Sequence, residues 1–390
     1  MKNSGVVTNT ADWVDIDRLS KYTGGQNALI AQGGGQRGIF TSGVLDAFLL
    51  SNFDPFHRFY GTSAGALNIA AYLCRQKGIG RSFILDLTTH PEFFHLFSYI
   101  RNNQSLGLDW ALDQICEYPY KLDIDMGRQV LGTRKAFAAV TDYAHLSDHY
   151  LPMLQADWKK VLIATCAIPR LYRQEVEFEH GRYIDGGVSA SIPVQEAWRQ
   201  GGRCLVVIRT EGDDLAASEP VIEQGDELHW YRDSLNTVQE HWQQKLSQWK
   251  QDWGSFFGER IQRSKEQKQA TGNAPLLNGG RWLFGADDIY RLSHLLGDSF
   301  DSGLADMLMV HYQTYSLTQD FLHQPPDDCF IVQIKPDKPL RSSSLMSSSD
   351  DLLHDYQVGL DAGFRCVDLF AQTGISLHDR MLDLHPQKWA

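Results

Sequence analysis

Three glycine-bearing turns carry the residue types that chemistry needs. The first is Gly33-Gly34-Gly35-Gln36-Arg37-Gly38, which follows the apolar run Asn27-Ala28-Leu29-Ile30-Ala31 and opens a helical stretch. Backbone amides in such a turn, at a helix N-terminus, can hold an anion or a developing negative charge. The spacing also satisfies GxGxxG, but a dinucleotide site calls for an acidic residue at the end of the next strand. That strand, Phe59-Tyr60, runs into Gly61-Thr62-Ser63, and the nearest acid, Asp54, precedes it. A P-loop needs Gly-Lys-Ser/Thr, which Arg37-Gly38-Ile39 does not supply. By itself the turn is equally a tight strand-to-helix connection.

The second turn, Gly61-Thr62-Ser63-Ala64-Gly65, fits G-x-S-x-G. This is the nucleophile elbow, where small flanking residues permit a sharp turn with serine at its apex. The plain alternative is a serine N-cap in a glycine-rich loop. The third is Asp185-Gly186-Gly187, after the short strand Arg182-Tyr183-Ile184. A carboxylate there could orient a serine hydroxyl and take its proton; the alternative is an ordinary Asp-Gly turn. Together the turns supply backbone amides, a nucleophile and a base. All three are expected to end parallel strands and so to face the carboxyl edge of the sheet, where open α/β sheets bind ligands.

GGGxRG, GxSxG and DGG, in this order, resemble the three signatures of the patatin-like phospholipases. Thr165-Cys166-Ala167-Ile168-Pro169 is similar to that family's small-residue-plus-proline segment. The resemblance covers about residues 27–210. It implies a lipid acyl hydrolase with a Ser–Asp dyad and no cofactor, acting on a lipid or lysolipid ester. It further implies Ser63 as nucleophile, Asp185 as proton acceptor and the amides of Gly34 and Gly35 as oxyanion hole. Gly33, Arg37, Gly38, Gly61, Gly65, Gly186 and Gly187 would support the motifs. Arg37 could instead meet a substrate phosphate or form a structural ion pair.

The elements that must position these residues alternate along the chain. Asn27–Ala31, Phe59-Tyr60, Ala136–Thr141, Val161–Thr165, Arg182–Ile184 and Cys204–Ile208 read as buried strands. Between them lie helical stretches after Gly38, after Ser63, up to about residue 128, and over Pro193–Gln200. This predicts an α/β fold: a three-layer sandwich, largely parallel, with helices on both faces. Residues 1–26 are an N-terminal extension, 27–210 the catalytic domain, and 211–390 a mainly helical region. Within the last, 227–269 reads as charged exposed helix, 271–281 as loop and 301–323 as helix. Phe330–Ile334 is a late strand available to the same sheet, and the last serine of Ser342–Ser349 caps a helix starting at Asp350. The stretch 220–325 reads as a helical insertion before that strand.

Charge and composition narrow the function. Of 390 residues, 43% are hydrophobic, enough for a sizeable core. Lys and Arg number 36 against 48 Asp and Glu, a net charge of −12, which disfavours nucleic acid as a partner. The six cysteines have no metal-site spacing and read as buried free thiols in a reducing compartment. No HExxH or EF-hand pattern appears, so no metal is expected. The N-terminus lacks signal-peptide character and no apolar run is long enough to span a bilayer, so the expectation is cytoplasmic, with peripheral contact at the inner face of the membrane open. Fourteen histidines invite a Ser–His–Asp triad. No local pattern selects His323 or His354, and His180, near Asp185 in sequence, is the first to test. Two other functions compete with hydrolysis: acyl transfer through the same acyl-serine, and lipid binding without catalysis.

Overall fold

Side chains alternate across a sheet, and that alternation divides this molecule into layers. The computed structural model describes residues 6–7, 15–94, 106–169, 171–172, 175–211 and 302–373. Its elements are β1 (Val6–Val7), α1 (Ile16–Thr23), β2 (Asn27–Ala31), α2 (Gly38–Leu50), β3 (Arg58–Thr62), α3 (Ala64–Leu73) and α4 (Ile79–Ser82). Next come α5 (Leu108–Gln114), α6 (Ile124–Leu131), β4 (Lys135–Asp142), β5 (Asp148–Pro152), α7 (Trp158–Cys166), β6 (Val176–Phe178) and β7 (Gly181–Asp185). The chain continues with α8 (Val194–Arg199), β8 (Cys204–Ile208), α9 (Ser302–His323), β9 (Phe330–Ile334) and α10 (Ser349–Ala371). The strands form one sheet in the order β1-β9-β8-β2-β3-β4-β7-β6, with β5 also paired to β4. From β1 to β4 the pairings are parallel. β5, β6 and β7 join antiparallel.

Strands β2, β8 and β9 are buried along their whole length. Leu29, Ala31, Val206, Ile208, Val332 and Ile334 enter one core with α2, α3, α7 and α10. Ala28, Ile30, Leu205, Val207 and Ile331 enter the other with Val194 and Ala197 of α8 and Phe321 and Leu322 of α9. Helices therefore cover both faces of a largely parallel sheet, with a helical C-terminal region. Burial on both faces demands continuous apolar strands, so these three stand in the sequence with their observed bounds. The C-terminal elements pack into the same body. The Tyr356 hydroxyl of α10 donates to Asp46 of α2 at 2.7 Å, and the Phe370 ring meets Phe53 with centroids 5.1 Å apart.

Two local expectations are corrected. Val161–Thr165 is helix, not strand: it lies within α7, where Val161, Leu162, Ala164, Thr165 and Cys166 are buried. A short apolar run serves a buried strand and a buried helix alike, and periodicity alone does not separate them. The cap of α10 is Ser348, whose Oγ accepts the Asp351 amide at 3.1 Å, one residue before the expected Ser349. The stretches 227–269 and 271–281 lie outside the described residues. Among the described residues, no helix is long and apolar enough to cross a membrane.

Candidate active site

The β3–α3 turn puts Ser63 in a conformation that side chains avoid. Its φ is 51° and ψ −125°, a backbone state that costs about 1–3 kcal/mol and persists only where its surroundings enforce it. Here the Ser63 amide donates to Thr165 Oγ1 at 2.9 Å, and that hydroxyl donates to the Ala139 carbonyl at 2.5 Å. Thr62 Oγ1 donates to the Ala190 carbonyl at 2.7 Å. Gly65 is needed for close approach, since a Cβ there would lie 2.5 Å from the Ala31 carbonyl oxygen. Ser63 occupies the N-cap position, yet its hydroxyl makes no capping bond. The plain N-cap alternative therefore does not describe it.

Strand β4 brings the second and third turns together. β3 pairs with Lys135–Ala139 and β5 with Phe137–Thr141, on opposite edges of β4. β7 pairs with Val140–Asp142, of which β5 already holds the far edge at Val140 and Thr141. It therefore lies on the β3 edge, beyond the end of β3, and runs the opposite way. Thr62 is opposite Ala139 and Asp185 opposite Val140, so the ends of β3 and β7 meet head-on. This corrects the expectation that all three turns end parallel strands. The Asp185 turn reaches the carboxyl edge because its strand enters from outside.

Asp185 is buried, 2% exposed. Its Oδ1 accepts the Gly187 amide at 2.6 Å, its own amide donates to the Ala167 carbonyl at 3.0 Å, and its carbonyl accepts Thr141 Oγ1 at 2.9 Å. Burial pushes its carboxyl up to about 7, opposed by hydrogen bonds from the Gly187 amide and the Ser63 side chain. A carboxylate with that proton affinity beside a serine hydroxyl is matched to proton transfer near neutral pH. The Cys166 thiol also reaches Ser63, and burial beside Asp185 pushes it up, away from thiolate.

The glycine turn stands alongside. The Gly33 amide donates to the Ser191 carbonyl at 3.1 Å and the Gln36 amide to Ser344 at 2.9 Å. Between them, the amides of Gly34 and Gly35 donate to no protein acceptor among the described residues. Gly34 has φ 156° and Gly35 φ 56°. Gly38 opens α2, against Ala64 of the elbow. Arg37 Nη1 pairs with Glu211 Oε1 at 2.6 Å, with both side chains largely buried. Of the two roles open to Arg37, the geometry is that of an ion pair. Glu211 Oε2 also accepts the Tyr315 hydroxyl of α9 at 3.2 Å.

The histidines singled out from sequence lie elsewhere. His180 is exposed at the β6–β7 hairpin, the opposite end of β7 from Asp185. His323 ends α9, bonded to the Gln319 carbonyl, and His354 is exposed on α10. His311 was missed: it is buried in α9, with Nδ1 2.6 Å from the Gly187 carbonyl. Its only signal was position in the apolar run Met307-Leu308-Met309-Val310, which announces burial but no partner. Five of the cysteines are buried free thiols. Cys116, just past the end of α5, is exposed, contrary to expectation.

Fold and site define a class. Residues 29–198 match the family model of patatin-like phospholipases. The chain belongs to this family, whose members are lipid acyl hydrolases. Residues 301–373 match a second model, a domain of unknown function, DUF6363. The chain is 32% identical over 345 residues to "Uncharacterized protein YjjU" of Escherichia coli (strain K12), covering 87% of this chain and 77% of the relative. Among solved structures, VipD from Legionella pneumophila aligns at 12% identity and a TM-score of 0.34, over 90% of this chain and 67% of its own.

Proposed function

We propose that the chain hydrolyses carboxyl esters of phospholipids or related lipids through a Ser63–Asp185 dyad. The observation that carries this is the pair itself: a serine in a strained backbone state beside a buried carboxylate that burial raises to about 7. Asp185 takes the hydroxyl proton as Ser63 Oγ attacks the ester carbonyl. Negative charge grows on the carbonyl oxygen, and the amides of Gly34 and Gly35 stabilise it; one such donor is worth about 3 kcal/mol of barrier. The C–O bond to the leaving alcohol breaks, and the alcohol takes the proton from Asp185. Water, deprotonated by the same carboxylate, then attacks the acyl-serine; the C–O bond to Ser63 breaks, the serine oxygen takes the proton back from Asp185, and the acid is freed. Arg37, tied to Glu211, fixes the glycine turn rather than meeting substrate.

A fluorophosphonate probe should label wild-type protein at Ser63, and Ser63→Ala should lose both labelling and hydrolysis of a p-nitrophenyl acyl ester and a phospholipid while folding normally. Labelling at a different residue, or hydrolysis that survives Ser63→Ala, would overturn the assignment. A protein labelled at Ser63 that transfers the acyl group to added alcohol in preference to water would move the reading to acyl transfer.

A further inference from the structure

Gly187 is held from both sides. Its amide donates to Asp185 Oδ1 at 2.6 Å, and its carbonyl lies 2.6 Å from His311 Nδ1. A carbonyl can only accept, so Nδ1 carries the proton and Nε2 does not. Burial pulls His311 down to about 4, against the Gly187 bond, so the ring is neutral across the working range and keeps this tautomer. The ring stacks on Tyr315 of the same helix, centroids 6.0 Å apart. Tyr315 in turn is bonded to Glu211, the partner of Arg37. A histidine that only filled the core would not need its donor on the residue that bonds the candidate base.

We propose that His311 is a positioning residue: it clamps the Gly187 carbonyl so that the Gly187 amide stays on the Asp185 carboxylate, and so helps set the proton affinity of the base. The proposal rests on Asp185 as the base of the reaction proposed above. The amide bond favours the charged carboxylate. Losing it therefore moves Asp185 further up and leaves less base at neutral pH. The groups facing that carboxylate are the Gly187 amide, the Ser63 hydroxyl and the Cys166 thiol, and burial keeps the thiol from titrating near 7.

Two readouts test it, one independent of turnover. Carboxyl-carbon NMR of the full-length protein follows the titration of Asp185, and kcat/KM against pH is measured per Ser63 labelled by fluorophosphonate. His311→Ala should raise the Asp185 midpoint and the acid limb of the profile by about one pH unit or more. It should lower kcat at pH 7 by about 10–100-fold, since slight misplacement of a reacting group is costly. His311→Asn, whose amide nitrogen falls near the Nδ1 position, should restore both. Should His311→Ala fail to fold, His311→Gln replaces it, filling the volume with the donor displaced, and should behave as Ala is expected to. An unshifted Asp185 midpoint in the folded Ala or Gln variant, or an Asn variant no better than these, overturns the proposal. A wild-type protein unreactive at Ser63 would sink the hydrolase reading instead, and the NMR titration would still decide the His311 tie.

Discussion

The described residues before 212 and those after 301 divide the labour of the site. The first region supplies every group proposed to touch substrate or move a proton: the Gly34 and Gly35 amides, Ser63 and Asp185. The second supplies no such group, yet it reaches two of the three turns directly. The Ser344 carbonyl accepts the Gln36 amide, Gln36 Oε1 accepts the Ser347 amide at 2.8 Å, and His311 meets Gly187. Through Tyr315 and Glu211 it also reaches Arg37. The contrast teaches that a signature turn is sufficient for identity of residues and insufficient for their placement. Backbone polar groups in a tight turn need partners, and here several come from a segment more than a hundred residues away.

The division of labour is sharpest at Asp185. If it reacts and does not hold, Asp185→Asn should cut kcat by roughly 10²–10⁴-fold, the range for a general base. The same variant should gain stability, with a defined pH dependence. The folded carboxyl is raised from 3.8 to about 7, so the folded state binds its proton more tightly than the unfolded one. Stability from this group is present below about 4, falls as pH rises, and the full penalty, on the order of 4 kcal/mol, applies above 7. Thermal unfolding at pH 8.5 should therefore show a higher Tm for Asp185→Asn than for wild type, with the gap closing toward pH 4. A Tm that drops at every pH would make Asp185 a holding residue and blur the division.

Gly35 lies where the two regions touch. A Cβ there would fall 2.3 Å from the Ser344 carbonyl oxygen, at a φ that side chains avoid. Gly35→Ala should therefore cost both kinds of property: a lower Tm, and a loss of about 10²–10³ in kcat per fluorophosphonate-labelled site if the amide is an oxyanion donor. A lower Tm with unchanged kcat per labelled site would reduce the glycine turn to a structural contact between the regions. The smallest expected effect is that of chelation. The proposed dyad moves the proton and the proposed amides meet the oxyanion without a cation, so EDTA should leave p-nitrophenyl ester hydrolysis unchanged. Loss of activity restored by calcium would mean that a participant from neither region is required.

Much of the fold was legible because burial on both faces leaves a plain mark. Asn27–Ala31, Cys204–Ile208 and Phe330–Ile334 are continuous apolar runs, and each is a strand with those bounds. The same mark misled at Val161–Thr165, because a buried helix can carry it too. The three turns were legible because glycine beside serine or aspartate encodes local backbone requirements, and such requirements are set within a few residues. The sequence by itself determined which residues are candidates for the chemistry. Only the tertiary structure decided that β7 meets β3 head-on along β4, that Arg37 faces Glu211, and that His311 rather than His180 stands behind the Asp185 turn. Strand direction and partners distant in the chain are fixed by which surfaces can be buried together, and that is a property of the packed chain, not of any local segment.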